Sequence, residues 1–165
     1  MDDTYVNVRP KKYRQAWPII LALSMATGTL VFAFNNPDFV GGEITCWAMG
    51  NGTAYYVGTE APEEFNKNVT QRYFVALISG VVLCFLIAGS QVLVLVNCRG
   101  GKQMRECFSL FLSFIYLIAN VIVVWSPSGQ VCKPVLPNTQ KALIGMEVFA
   151  FGVCAVSIFI LMITK

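Results

Sequence analysis

The sequence predicts an all-α membrane protein: a four-transmembrane-helix bundle with N- and C-termini cytosolic and a small disulfide-pinned extracellular cap. Three observations carry that expectation. Four apolar runs, Trp17–Phe34, Tyr73–Val96, Phe108–Trp125 and Ala142–Thr164, are nearly free of charge. Each is about 18–24 residues, which at ~1.5 Å per residue reaches across a hydrocarbon core of ~30 Å. Composition agrees: 56% of the 165 residues are hydrophobic and 13% charged, against ~25% charged in ordinary soluble domains. Mean hydropathy is +0.61. The third observation is the placement of Lys and Arg. Arg9, Lys11, Lys12, Arg14, Arg99, Lys102, Arg105 and Lys165 fall on one side of the bundle, twice as many as Lys67, Arg72, Lys133 and Lys141 on the other. The positive-inside rule therefore puts both ends of the chain in the cytosol.

Residues 1–15 form a polar cytosolic segment, and residues 16–165 the four-helix domain. Arg9, Lys11, Lys12 and Arg14 read as contacts to anionic lipid, worth ~1 kcal/mol per cation near the surface. Tyr5-Val6-Asn7, behind Asp2-Asp3, matches the Tyr-x-Asn pattern that adaptor domains read once the tyrosine is phosphorylated. Pro18 is expected in the first turn of span one, where its missing N–H costs little. That span follows a hydrophilic stretch and lacks a small-residue cleavage site, so it is expected to stay as a signal anchor.

The outer loop 35–72 is the largest polar region. Asn35-Asn36-Pro37-Asp38 and Gly41-Gly42 are turn signals. Glu43–Trp47 and Thr53–Val57 read as two extended pieces around Gly50-Asn51-Gly52, a hairpin. Ala61-Pro62-Glu63-Glu64 reads as a helix start leading to span two. Asn51-Gly52-Thr53 and Asn68-Val69-Thr70 are glycosylation sequons, both on the expected outer side. Asn51 is the better acceptor, because Asn68 lies close to the membrane end of span two.

Cys46 and Cys132 are the only cysteines in the outer loops, one in each, in an oxidising compartment. A bridge between them would close about 85 residues and pin the first loop over the bundle, for roughly 4–5 kcal/mol. Two unpaired buried thiols are the competing reading. Cys98 and Cys107 flank the basic inner loop at membrane level, where palmitoylation occurs. Cys84 and Cys154 read as small packing residues. The second outer loop, 126–141, is short and holds Pro127, Pro134 and Pro137.

Small and polar residues within the spans mark faces that meet protein: Ser24, Thr27, Gly28 and Thr29 in span one, Ser79, Gly80, Gly89, Ser90 and Gln91 in span two, and Gly145, Gly152 and Ser157 in span four. Glu147 is the one ionisable group well inside an expected span, and such an acid is a functional candidate. Counted inward from the outer ends, Thr27 or Thr29, Asn120 and Glu147 share one depth and predict a polar layer. A hydrogen-bonded packing clamp is the plainer role for it, and a transport role the sharper one.

Catalytic constellations are missing. The chain has no histidine, which excludes His-based metal sites, bis-histidine haem and Ser/His/Asp chemistry. It has no Cys-x-x-Cys pair and no phosphate-binding glycine loop. No enzyme activity, cofactor or nucleic-acid partner is expected.

The layout resembles the MARVEL tetraspan family, and within it the synaptophysin and synaptogyrin branch. The shared features are a short basic lead, a larger first outer loop, a brief basic inner loop, a cysteine in each outer loop and sequons in the first. The resemblance spans Tyr13–Lys165 in architecture. It implies roles in vesicle membranes, membrane apposition and trafficking of partner membrane proteins. Claudin-like proteins are the next resemblance, but their first loop carries a Trp-Gly-Leu-Trp pattern and a nearby cysteine pair, where this loop has only Cys46-Trp47. The expected function is therefore the organising or trafficking of membranes and partner proteins by lateral association, at the plasma membrane or a vesicle membrane. The alternatives are an accessory subunit of a channel, receptor or transporter, and a small transporter or channel built on Glu147.

Overall fold

The computed structural model describes residues 11–36, 39, 45–95 and 101–163. The chain runs α1 (Lys11–Asn35), β1 (Cys46–Ala48), β2 (Tyr55–Val57), β3 (Lys67–Asn68), α2 (Val69–Leu95), α3 (Gly101–Trp125), α4 (Pro127–Val131) and α5 (Pro137–Ile163). It is mostly helical, and α1, α2, α3 and α5 are long and apolar enough to cross a membrane. These helices make the chain an integral membrane protein. The strands, the disulfide and α4 gather at one end, called here the cap end; the opposite end of the bundle is the far end.

The long helices overrun the apolar runs that predict them, because hydrogen bonding continues past the last apolar residue. The helix of α1 starts at Lys11, so Pro18 lies inside it rather than in its first turn. An apolar helix tolerates this where its neighbours satisfy the freed backbone group. At the start of α2, Asn68 accepts the Gln71 backbone N–H at 2.8 Å, satisfying one of the orphan donors of a helix N-terminus. No helix starts at Ala61. The Phe65 N–H closes a turn onto the Pro62 carbonyl at 2.9 Å, and the chain then returns as β3 beneath β1. Pro137 opens α5, five residues before the apolar run at Ala142.

The hairpin forms as expected, with Cys46 opposite Val57 and Ala48 opposite Tyr55. The third strand, pairing Trp47 with Asn68, makes an antiparallel sheet of order β2-β1-β3. Two residues of strand are too short a run for periodicity to reveal. Gly52 has φ +72°, and a β-carbon there would lie 2.6 Å from the Pro127 carbonyl carbon. Glycine at that position lets the hairpin turn lie against α4.

In the bundle, α1 packs on α2 and α3 packs on α5, with α2 bridging the two pairs. Two apolar clusters result. The cap-end cluster joins Cys46, Ala48, Val69, Tyr73, Leu77, Leu136 and Leu143. The other, toward the far end, joins Ala22, Ala26, Cys84, Ile87, Met146 and Ala150. The buried stripe of α1 is Ala22, Ala26, Thr29 and Ala33, at spacings of three and four, while Ser24, Thr27 and Gly28 are exposed. Alanine permits the same close helix approach while keeping a methyl to pack. Among the expected small-residue contacts Gly80 stands out. A β-carbon there would sit 2.6 Å from the Met146 methyl and 2.7 Å from the Tyr116 hydroxyl, whereas Gly89, Gly145 and Gly152 have open space.

Candidate functional site

Cys46 and Cys132 form the disulfide that their positions predict, with a Cα–Cα separation of 6.1 Å and both residues fully buried. Its surroundings hold the cap to the helices. The Cys46 N–H donates to the Thr70 hydroxyl at 2.9 Å. Tyr73 is a strut in the core: it is fully buried and its hydroxyl donates to the Gly129 carbonyl at 2.9 Å. Ser126 caps α4 by accepting the Gly129 N–H at 3.1 Å.

The two sequons differ in setting. Asn51 is exposed at the hairpin turn, where its side-chain oxygen accepts the Thr53 N–H and hydroxyl at 3.2 and 2.9 Å. Asn68 is half-buried between β1 and the start of α2, and Thr70 is buried. A folded cap therefore presents Asn51 far better than Asn68. Cys107 is exposed near the far end, Cys84 is buried and Cys154 half-buried, all three as free thiols. Tyr5, Arg9 and Cys98 lie outside the described residues, as do the side chains of Lys11, Lys12 and Arg14.

Thr27, Thr29, Asn120 and Glu147 do not join into one hydrogen-bonded layer. Thr27 is exposed and bonds the Leu23 carbonyl of its own helix. Thr29 is buried and donates to the Met146 sulfur at 3.4 Å. Asn120 donates to the Leu143 carbonyl at 3.1 Å, and the Trp125 indole donates to Glu147 Oε2 at 3.2 Å. The depth count fails because α5 begins at Pro137, so Glu147 lies a turn deeper than Asn120's partner. Trp125 reaches it because side chains lean toward their helix N-terminus. In an antiparallel pair, a residue late in α3 and one early in α5 therefore lean toward each other.

A larger polar feature runs along α3. Glu106, Ser109, Ser113, Tyr116, Asn120 and Val124 recur at spacings of three and four and are all buried. The opposite face, including Phe111, Phe114, Ile118 and Ile122, is exposed. This helix turns its polar stripe inward and its aromatic face outward, as an apolar surrounding requires. Glu106 escaped the hydropathy reading because the apolar run begins at Phe108. It is nevertheless inside α3, 4% exposed, and accepts the Ser157 hydroxyl of α5 at 3.2 Å. Its spacing to Ser109 and Ser113 was the available signal. Among the described residues, Ser109 Oγ, Ser113 Oγ, Asn120 Oδ1 and Glu147 Oε1 are buried polar atoms without a hydrogen-bond partner.

Two cavities touch this stripe. One of about 370 Å³ lies between α2 and α3 toward the cap end, lined by Arg72, Ser79, Tyr116 and Asn120 among others. The second, about 670 Å³, lies at the far end between α1, α2, α3 and α5, and includes Gln91, Glu106, Ser109 and Ser157 in its lining. Toward the cap, α1 is tied to α5 through Thr29–Met146 and an Asn36–Thr139 hydrogen bond of 2.9 Å; toward the far end, Trp17 and Leu21 of α1 and Val153, Val156 and Ile160 of α5 line the cavity instead. Among the described residues, no three His, Cys, Asp or Glu side chains cluster in a way that could hold a metal ion. No family model, curated protein or solved structure matches this chain.

Proposed function

We propose that this protein is a non-enzymatic tetraspan that organises or trafficks membranes and partner membrane proteins by lateral association. Both termini lie in the cytosol, and the cap faces the lumen or the outside of a plasma-membrane or vesicle protein. The observation that carries this reading is the cap's outer edge. β2 is one of the two edge strands of the sheet, and its Tyr55, Tyr56 and Val57 are all exposed. An edge strand offers unpaired backbone groups to a neighbour, and tyrosines supply rigid contact area beside it. The disulfide holds that edge at a set height over the helices. The layout of the MARVEL tetraspans supports the same assignment.

Purification in mild detergent tests it. Self-assembly or lipid-rich fractions, lost on Tyr55→Ala with Tyr56→Ala, are expected of an organiser. A stoichiometric larger partner lost with the same substitutions assigns the accessory-subunit role instead. Association unchanged by both substitutions refutes a role for the β2 edge. Orientation is tested separately: a cysteine placed at Lys102 should resist an impermeant label applied to intact cells.

Small-solute or ion transport is the second reading, favoured by the polar residues of α3 at several depths. It requires flux in reconstituted vesicles that Glu147→Gln abolishes while folding is kept.

A further inference from the structure

The far-end cavity has the size and the chemistry of a ligand site. Its volume of about 670 Å³ falls in the ~300–1,000 Å³ range of small-molecule pockets. That is room enough for one hydrocarbon chain. Most of its wall is apolar, with Leu21 of α1, Ile87 of α2, and Phe149 and Val153 of α5. The polar pole is supplied by Gln91, Glu106 and Ser109.

Ser109 is the informative member. It is 2% exposed, and its hydroxyl has no hydrogen-bond partner among the described residues. A helical serine ordinarily bonds back to a carbonyl of the preceding turn, as Ser79 and Ser90 do in α2. Leaving a buried hydroxyl unpaired is unfavourable, and this one lines the cavity. The Gln91 amide, which lines the same cavity, offers both a donor and an acceptor. A charged head would have to leave water for this mostly apolar site, which is costly without a paired counter-charge. A hydroxyl head both donates and accepts and carries no charge, so it matches this pole.

We propose that this cavity binds a single-chain, uncharged lipid with a hydroxyl head, a long-chain alcohol or monoacylglycerol. The head sits on Ser109 and Gln91, and the chain lies along Ile87, Phe149 and Val153. Its route from the surrounding bilayer is between the far ends of α1 and α5, which line the cavity.

The test uses the full chain in lipid nanodiscs and a photoreactive hexadecanol, with adducts mapped by mass spectrometry. Adducts should concentrate on residues 87–91 and 149–153. Excess hexadecanol or monopalmitoylglycerol should compete; palmitate and diacyl phospholipid should not. Ser109→Ala should weaken competition by about fivefold, the equivalent of one hydrogen bond. Val153→Trp should fill the space and abolish site labelling while the disulfide and monodisperse elution are kept. If that variant fails to fold, Ser109→Ala and the head-group competition decide alone. Labelling spread evenly over exposed positions such as Phe111 and Val148 overturns the proposal. So does equal competition by palmitate, or no effect of Ser109→Ala.

Discussion

Removing the Cys46–Cys132 bond by a double Cys→Ala substitution should lower stability by about 3.5–4.5 kcal/mol, with the value set by how much of the closed loop is free to move. The bridged residues are 86 apart in sequence. Treated as wholly flexible, a loop of that length gives ~4.6 kcal/mol in the loop-entropy expression. However, α2 and α3 lie within it. Apolar helices stay formed and inserted when a bundle comes apart in a membrane, so the flexible part is only about 30 residues. The same expression then gives ~3.6 kcal/mol. The sheet and the Thr70 and Tyr73 hydrogen bonds remain in the variant, so the loss should fall on the unfolded state and leave the cap's structure in place. Unfolding in mixed micelles, followed by tryptophan fluorescence, measures the difference, with reduced and alkylated wild type as a second measurement. Peptide mapping without reductant should recover one linked pair. A wild type shown to be bridged, yet within ~0.5 kcal/mol of the variant, a difference ordinary for surface changes, would refute the reasoning. Free thiols at both positions in protein taken from cells would remove its premise.

Three further outcomes are expected. Glycosidase should shift the mobility of wild type, and Asn51→Gln should abolish that shift; Asn68→Gln should keep it while costing ~1 kcal/mol through loss of the α2 cap. Glu147→Gln should be tolerated because an amide oxygen still accepts the Trp125 indole, whereas Glu147→Leu should cost about 0.6 kcal/mol, the mean for hydrogen bonds between membrane helices. A double-mutant cycle with Trp125→Phe measures that pair, and flux lost in Glu147→Gln with folding intact would favour transport instead. Gly80→Val should destabilise by ~1–3 kcal/mol through overpacking against Met146 and Tyr116. Gly89→Val, facing open space, is the control, and thermal unfolding in detergent compares the two.

The four long helices and the Cys46–Cys132 pairing could be read from residue order, because each depends on a local or countable property. A helix that crosses a bilayer must be apolar over its whole length, whichever neighbour it meets. With one cysteine in each outer loop, the chain had a single candidate pair there. The β1–β2 hairpin was equally local, marked by the Gly-Asn-Gly turn. Rotation of α1 about its axis was not legible. In a hydrocarbon surrounding, lipid-facing and core-facing side chains are both apolar, so hydropathy does not tell the Ala22–Ala33 stripe of α1 from its outer face. Depth was not legible either, since α5 gains five residues at Pro137 that carry no apolar signal and Glu147 moves past Asn120 as a result. Only tertiary packing placed Glu106 in the bundle opposite Ser157, paired Trp125 with Glu147, and brought residues of four helices around the far-end cavity. These depend on how helices distant in sequence lie against one another: the three-and-four spacing of Glu106, Ser109 and Ser113 marks a buried face of α3, but nothing within one helix names the helix that face will meet.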